Sequence, residues 1–92
     1  MADRCGHITQ EEYARGLAYR LRGLRMESAM TQEAVAERAG IATYTYQKYE
    51  KGESRPGVPL NPRLFTLISL ANVFDMDVRD LLTLEYDSRA GV

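Results

Sequence analysis

The residues suited to metal or nucleophilic chemistry are few and lie near the N-terminus. The single histidine, His7, and the single cysteine, Cys5, are two positions apart. A tetrahedral metal site needs four ligands, so this pair alone cannot form one. A Ser-His-Asp triad would have to use the same histidine, and no glycine-rich phosphate loop follows a strand. We therefore expect a protein that is not an enzyme, with no catalytic residues, metal, cofactor or small-molecule substrate.

Side chains suited to binding are concentrated in the segment TQEAVAERAGIATYTYQKYEKG, residues 31–52. Thr31 can cap a helix by accepting a hydrogen bond from an amide of its first turn. The apolar face of that helix would then be formed by Val35, Ala36 and Ala39. Gly40 follows where a helix ends in a left-handed residue, a conformation that glycine adopts without strain.

A second short helix is predicted after this turn. Tyr46 and Tyr49, three residues apart, form its inner face, and its outer face carries Tyr44, Gln47, Lys48 and Lys51. The small side chain of Ala36 allows the two helices to approach closely, and Gly40 allows a sharp turn. Two helices that cross steeply at a short turn make a helix-turn-helix.

This pattern resembles the helix-turn-helix of the phage-repressor and Cro-like (XRE-type) DNA-binding regulators. The residues that carry the resemblance are Gln32, Val35, Ala36, Ala39, Gly40, Ile41, Tyr46, Tyr49, Glu50 and Gly52, with Arg25 upstream. It extends over residues 17–82 and implies an all-α, compact five-helix domain of the lambda-repressor-like type. Two departures stand out: Ala42 replaces the usual Ser or Thr cap of the reading helix, and Tyr46 replaces an aliphatic residue.

The resemblance implies that the N-terminal end of the second helix enters the major groove of double-stranded DNA. The base contacts it implies are Thr43, Tyr44, Gln47 and Lys48. Lys48 could donate to guanine, and Tyr44 could pack on a thymine methyl group or reach a phosphate. The phosphate contacts it implies are Gln32, Thr45, Lys51 and Arg55. Phosphate contacts set register and affinity without carrying sequence information.

Arg25 stands where the family has an arginine that pairs with a glutamate at the end of the reading helix, here Glu50. The implied Arg25–Glu50 salt bridge is structural and ties the first helix to the third. If it is partly buried, removing one partner should cost a few kcal/mol, because the other charge is left unpaired.

The domain is predicted to cover residues 9–87, between flexible tails at 1–8 and 88–92. A capping box of Thr9 and Glu12 begins the first helix, which should run to about Ser28. Its apolar stripe is Tyr13, Leu17, Leu21 and Leu24. Tyr13 could either pack on the domain or form part of a dimer contact.

The chain after Gly52 reads ESRPGVPLNP, and its prolines and glycine predict irregular structure. Asn61 and Pro62 should then begin a fourth helix, with an inner face of Leu64, Leu67, Ile68, Ala71 and Phe74. Phe65 lies off that stripe and would be half-buried or an interface residue. Asp77 should cap a short fifth helix ending at Leu82, with Leu84 and Tyr86 packing behind it.

The composition is compatible with DNA binding but does not by itself indicate it. The 92 residues have a net charge of −1, whereas DNA-binding proteins usually have a basic face. Residues 56–92 hold three basic and five acidic side chains, so the acids gather away from the predicted reading helix. No signal peptide or membrane span is evident, which indicates a cytoplasmic protein.

We therefore expect a homodimeric, sequence-specific transcriptional regulator on a palindromic operator, with a repressor preferred and an activator left open. Phage, restriction–modification and antitoxin settings remain open. The alternative is a protein–protein adaptor with little affinity for DNA. An exposed apolar surface of Phe65, Leu84 and Tyr86 without a basic counterface would favour the adaptor, and a basic rim around Gln32, Lys48, Lys51 and Arg55 would favour DNA.

Overall fold

Five helices and one short hairpin form residues 8–84, the part of the chain that the computed structural model describes. The elements in order are α1 (Gln10–Glu27), α2 (Gln32–Ala39), α3 (Thr43–Lys51), β1 (Glu53–Arg55), β2 (Val58–Pro59), α4 (Leu64–Val73) and α5 (Val78–Leu81). The C-terminal tail, most of the N-terminal tail, and the residues Cys5, His7 and Tyr86 lie outside the described residues.

The first helix begins with the capping box expected from the sequence. The Thr9 hydroxyl accepts from the Glu12 amide at 3.0 Å, and the Glu12 carboxylate accepts from the Thr9 amide at 3.1 Å. These two bonds satisfy amides that have no partner inside the helix. Of the two roles considered for Tyr13, the structure gives it one within the domain: its hydroxyl donates to the carbonyl of Leu82, joining α1 to the end of α5.

The core is formed by apolar side chains from all five helices. Its buried members are Leu17, Leu21, Val35, Ala36, Tyr46, Tyr49, Leu67, Leu70, Ala71 and Leu81. Tyr46, in place of the aliphatic residue usual in the resembled family, is fully buried at the centre. Leu84 packs against the edge of this cluster. Full burial of each large apolar side chain stabilises the fold by about 1.5–3 kcal/mol.

The segment after α3 is more regular than its composition predicted. Strands β1 and β2 pair antiparallel, with Glu53 opposite Pro59 and Arg55 opposite Val58. The expectation of irregular structure was wrong because the breakers sit where a hairpin tolerates them. Gly57 lies in the turn at φ +80°, and Pro59 ends an edge strand, where a missing amide costs little.

The fourth helix begins later than predicted. Its N-cap is Arg63, with no capping hydrogen bond from the side chain, and Asn61 and Pro62 precede the helix. Two tertiary bonds hold the chain extended here: the Leu60 amide donates to the carbonyl of Gly52 at 2.9 Å, and the Arg63 amide donates to the Tyr49 hydroxyl at 3.2 Å. Helix formation therefore starts only at Leu64.

The buried face of α4 is rotated from the predicted one. Leu67, Leu70 and Ala71 are buried, whereas Leu64, Phe65 and Ile68 are 59, 79 and 37% exposed. The prediction placed Leu64 and Ile68 inside because the helix is apolar on two adjacent faces, and periodicity alone cannot choose between them. The exposed side chains Leu64, Phe65 and Ile68, hereafter the α4 patch, form a second apolar stripe.

Candidate nucleic-acid interface

Helices α2 and α3 and the turn between them adopt the predicted arrangement. The Thr31 hydroxyl accepts from the Ala34 amide at 3.0 Å and begins α2. Gly40 ends it in the left-handed conformation at φ +75°, and the next amide, of Ile41, donates to the carbonyl of Ala36 at 3.0 Å. This turn fixes the angle at which α3 leaves α2.

The first turn of α3 has no side-chain cap. Ala42 is its N-cap residue and offers no acceptor, so α3 begins at Thr43 with its first amides uncapped by a side chain. Because these amides and the helix dipole make this end positive, it can accept an anionic group from outside. Thr43 and Thr45, predicted respectively for base and phosphate contact, lie half-exposed in this turn.

The outer face of α3 is polar and open to solvent. Tyr44 is 68% exposed, and the Lys48 ammonium lies 4.6 Å from the centre of its ring. This cation–π contact holds the positive charge on the outer face, one turn from the start of the helix. Gln47 is exposed beside it. Three predicted base contacts thus share one surface.

A basic cleft of about 220 Å³ lies between α3 and the hairpin. It is lined by Tyr44, Gln47, Lys48, Lys51, Glu53, Ser54, Arg55 and Pro56. Three positive side chains and one negative one line this concave surface, so its charge suits an anionic group such as a backbone phosphate. The structure therefore brings the predicted phosphate contacts Lys51 and Arg55 together.

The expected ion pair between Arg25 and Glu50 is present. Arg25 Nε lies 2.6 Å from Glu50 Oε2, and its terminal nitrogen donates to Oε1 at 3.1 Å. The Glu50 side chain is only 3% exposed. Its carboxylate also accepts from the Tyr46 hydroxyl at 2.5 Å and from Gln32 Nε2 at 3.0 Å. The hydrogen bonds that Glu50 accepts from Arg25, Gln32 and Tyr46 therefore join α1, α2 and α3.

The same contacts keep Glu50 ionised. Burial opposes the charged carboxylate, but the hydrogen bonds from Arg25, Tyr46 and Gln32 outweigh burial and hold its pKa below the ordinary glutamate value. Burial, followed by the hydrogen bond to Glu50, raises the pKa of Tyr46. The hydrogen bond to Glu50 raises the pKa of Arg25. Arg25 and Glu50 are therefore both charged and link the helices, and the phenol of Tyr46 is neutral.

Gln32 is placed differently from what a simple phosphate contact requires. Its amide nitrogen is directed inward to Glu50, and its carbonyl accepts from Gln47 Nε2 at 3.3 Å. Sequence reasoning missed this link because the residues are 18 and 15 positions apart and only tertiary packing joins them. Sequence reasoning also missed Ser54, which lines the cleft. A hairpin predicted beside Arg55 would have pointed to this residue.

Fold and surface together are those of the helix-turn-helix class of DNA-binding proteins. A family model described as a helix-turn-helix domain matches residues 16–84, and the chain belongs to that family. A crystal structure of the restriction-modification controller protein C.AhdI from Aeromonas hydrophila matches with a TM-score of 0.64 and 28% sequence identity. The match covers 74% of this chain and 94% of that one. A search of curated proteins gave no match.

These matches confirm two of the predictions. The chain is similar to XRE-type regulators, as the resemblance implied, and its fold is the expected all-α, five-helix domain with a minor hairpin. It is thus a DNA-binding transcriptional regulator of the helix-turn-helix type.

Proposed function

We propose that this protein is a sequence-specific repressor that binds double-stranded DNA as a homodimer on a palindromic operator. The observation that carries the proposal is the exposed polar face of α3 beside the basic cleft. Tyr44, Gln47 and Lys48 lie on that face, and Lys51 and Arg55 meet in the cleft. A helix with such a face fits the major groove, where each base pair shows a distinct pattern of donors and acceptors.

Within this proposal, α3 enters the groove by its N-terminal end. Thr43, Tyr44, Gln47 and Lys48 meet base edges, and Lys48 donates to guanine O6 or N7. Thr45, Lys51 and Arg55 meet phosphates. Gln32 has a second amide hydrogen beyond the one given to Glu50, which can reach a phosphate.

The α4 patch supports the homodimer. Phe65 is 79% exposed and Leu64 is 59% exposed on adjacent positions, which is unusual for a large apolar pair on an isolated domain. A two-fold axis through such a patch would make a self-complementary contact. It would set two α3 helices to read half-sites about one helical turn apart.

The similarity to C.AhdI favours one setting over the others. That protein is a restriction-modification controller, so we infer the same setting here in preference to a phage repressor or an antitoxin.

Catalysis has no part in the proposal. Within residues 8–84, none of the helices is long and apolar enough to cross a bilayer, and we propose a cytoplasmic location because the DNA target lies there.

The test is selection of bound duplexes from a random pool, followed by affinity against salt on the best site. We expect a palindromic consensus, and log K falling linearly with log salt at about −0.9 per phosphate neutralised. A pool without enrichment, together with weak binding at low salt, would refute the proposal.

The adaptor alternative keeps one supporting observation, the exposed α4 patch. The surface expected for an adaptor is nevertheless incomplete among the described residues, because Leu84 packs on the core instead of joining Phe65. The basic cleft is also the counterface that an adaptor would lack. We therefore assign the α4 patch to the dimer contact.

A further inference from the structure

Tyr44 is a large aromatic side chain that takes no part in the hydrophobic core. It lies in the first turn of α3 and is 68% exposed, whereas Tyr46 and Tyr49 of the same helix are buried core residues. Tyr44 also lines the cleft in which the predicted phosphate contacts Lys51 and Arg55 meet. Its ring can therefore contact a base while the cleft holds the backbone of the same DNA.

Lys48 limits which base the ring can contact. Its ammonium lies 4.6 Å from the centre of the Tyr44 ring and covers one face, which leaves the rest of the exposed ring open. A lysine in the major groove donates to guanine O6 and N7, and successive base pairs are about 3.4 Å apart along the duplex. When Lys48 donates to a guanine, the Tyr44 ring is therefore held beside a neighbouring base pair.

The apolar group that a base pair shows in the major groove is the methyl group at C5 of thymine. A ring that packs on this methyl group does not touch O4, the atom that distinguishes thymine from a methylated cytosine. 5-Methylcytosine carries the same methyl group at the same position of the groove. An unmethylated C·G pair has no methyl group on either strand, so the ring has nothing equivalent to pack on.

We propose that Tyr44 reads a methyl group at C5 and accepts 5-methylcytosine in place of thymine, next to a guanine bound by Lys48. This inference rests on the proposed function and adds to it a response to DNA modification. A site with cytosine at this position is bound more tightly once that cytosine is methylated. The inference also decides between two roles for Tyr44, because a hydroxyl that reaches a phosphate would not sense the methyl group.

The experiment starts from the best duplex found by selection and changes one pyrimidine at a time. Each thymine of the half-site is replaced in turn by uracil, by cytosine and by 5-methylcytosine, with guanine opposite both cytosines. Uracil differs from thymine only by the methyl group at C5, and so does cytosine from 5-methylcytosine. Affinities of the full chain are compared at one salt concentration, because salt alters every phosphate contact.

We expect one thymine position per half-site at which the methyl group matters. There thymine should bind about fourfold more tightly than uracil, and 5-methylcytosine about fourfold more tightly than cytosine, which is the effect of burying one methyl group. This position should adjoin the guanine for which Lys48→Ala relaxes the preference, because the ammonium of Lys48 and the ring of Tyr44 are in contact.

Three variants assign the methyl effect to the ring. Tyr44→Phe keeps the ring without the hydroxyl and should retain both fourfold differences, whereas Tyr44→Ser should abolish both. Tyr19→Ser is the matched control and should change neither, because Tyr19 is 73% exposed on α1 with Arg22 6.0 Å from its ring. Thermal unfolding checks that each variant is folded. Loss of both differences in Tyr44→Phe would assign Tyr44 to a contact through its hydroxyl and overturn the inference.

Three further results would overturn the inference while leaving the proposed function intact. In the first, the parent is sequence-specific but binds no thymine of its site more tightly than uracil. In the second, the methyl preference survives in Tyr44→Ser. In the third, thymine is preferred to uracil, but 5-methylcytosine is not preferred to cytosine. A parent without any sequence preference would instead overturn the proposed function, and this inference with it.

Discussion

Tyrosine occurs three times in α3, and the side of the helix decides what each copy does. Tyr46 is fully buried and donates to Glu50, and Tyr49 is buried with its hydroxyl accepting from the Arg63 amide. Tyr44 is 68% exposed and lies under the ammonium of Lys48. Two copies therefore build the core, and one lies on the exposed outer face of α3.

Lys48→Ala should relax or change the sequence preference. The substitution removes the proposed groove donor and also the cation that covers Tyr44, so discrimination at one base pair should fall by about 1–3 kcal/mol. Duplex selection with parent and variant measures this. Lys51→Ala is the control, since it should weaken binding without altering the consensus. An unchanged consensus in Lys48→Ala would remove Lys48 from the base contacts.

Glu50→Gln should destabilise the domain by about 3 kcal/mol at neutral pH, because Arg25 keeps its charge and loses its partner. The folded-state pKa of Glu50 lies below the ordinary value of 4.5. Its stabilisation is therefore complete above about pH 4.5 and is lost as pH falls through the lower folded-state pKa. Urea unfolding between pH 7 and pH 3 should show the free energies of parent and variant converging toward acid. A constant difference would contradict this.

Two glycines in the left-handed conformation each end one helix of the helix-turn-helix. Gly40 closes α2 and Gly52 closes α3, at φ +75° and +80°. A Cβ on Gly40 would meet nothing within 4 Å, whereas one on Gly52 would lie 3.1 Å from the carbonyl oxygen of Ala14. Gly52 therefore also sets how closely the end of α3 approaches α1.

Gly52→Ala should cost more stability than Gly40→Ala. The left-handed conformation alone costs an alanine about 1–2 kcal/mol, and both variants bear that cost. Gly52→Ala adds a tight contact with the backbone of α1, worth about 1–3 kcal/mol more. Urea unfolding of the two variants gives the difference directly, with Gly40→Ala as the matched control. Equal losses would mean that α1 moves away without cost.

At the scale of the whole molecule, two exposed surfaces each concentrate one kind of side chain. The basic cleft concentrates Lys48, Lys51 and Arg55 in a chain whose net charge is −1. The α4 patch concentrates apolar side chains beside the buried face of the same helix. Total charge and total hydropathy are averages over the chain, so neither reveals such local concentrations.

Phe65→Ser should weaken the proposed dimer by at least about 2 kcal/mol, roughly thirtyfold in its dissociation constant. The reason is the loss of a large aromatic side chain from the centre of the α4 patch. Sedimentation equilibrium measures the constant, and affinity for a palindromic site should fall in parallel. Tyr19→Ser is the control, because Tyr19 is 73% exposed on α1. A dimer weakened by Tyr19→Ser and not by Phe65→Ser would place the contact on α1.

Much of the fold could be read from residues that act over one or two helical turns. The box at Thr9, the cap at Thr31 and the left-handed Gly40 each depend on neighbours three or four positions away. The same holds for Asp77, whose carboxylate caps α5 by accepting from the Arg79 amide at 2.8 Å. Such features are local, so the sequence alone specified them. The Arg25–Glu50 pair is long-range and was reached only through the resemblance.

Tertiary structure decided those features for which the local sequence allowed more than one outcome. Helix α4 is apolar on two adjacent faces, and packing against the core chose Leu67 and Leu70 over Leu64 and Ile68. Its start was delayed by the bond from Arg63 to Tyr49. The orientation of Gln32 depends on a carboxylate 18 residues away that only the folded chain brings within 3.0 Å. Local sequence therefore determined where helices begin and end, and long-range packing determined which faces and edges they present.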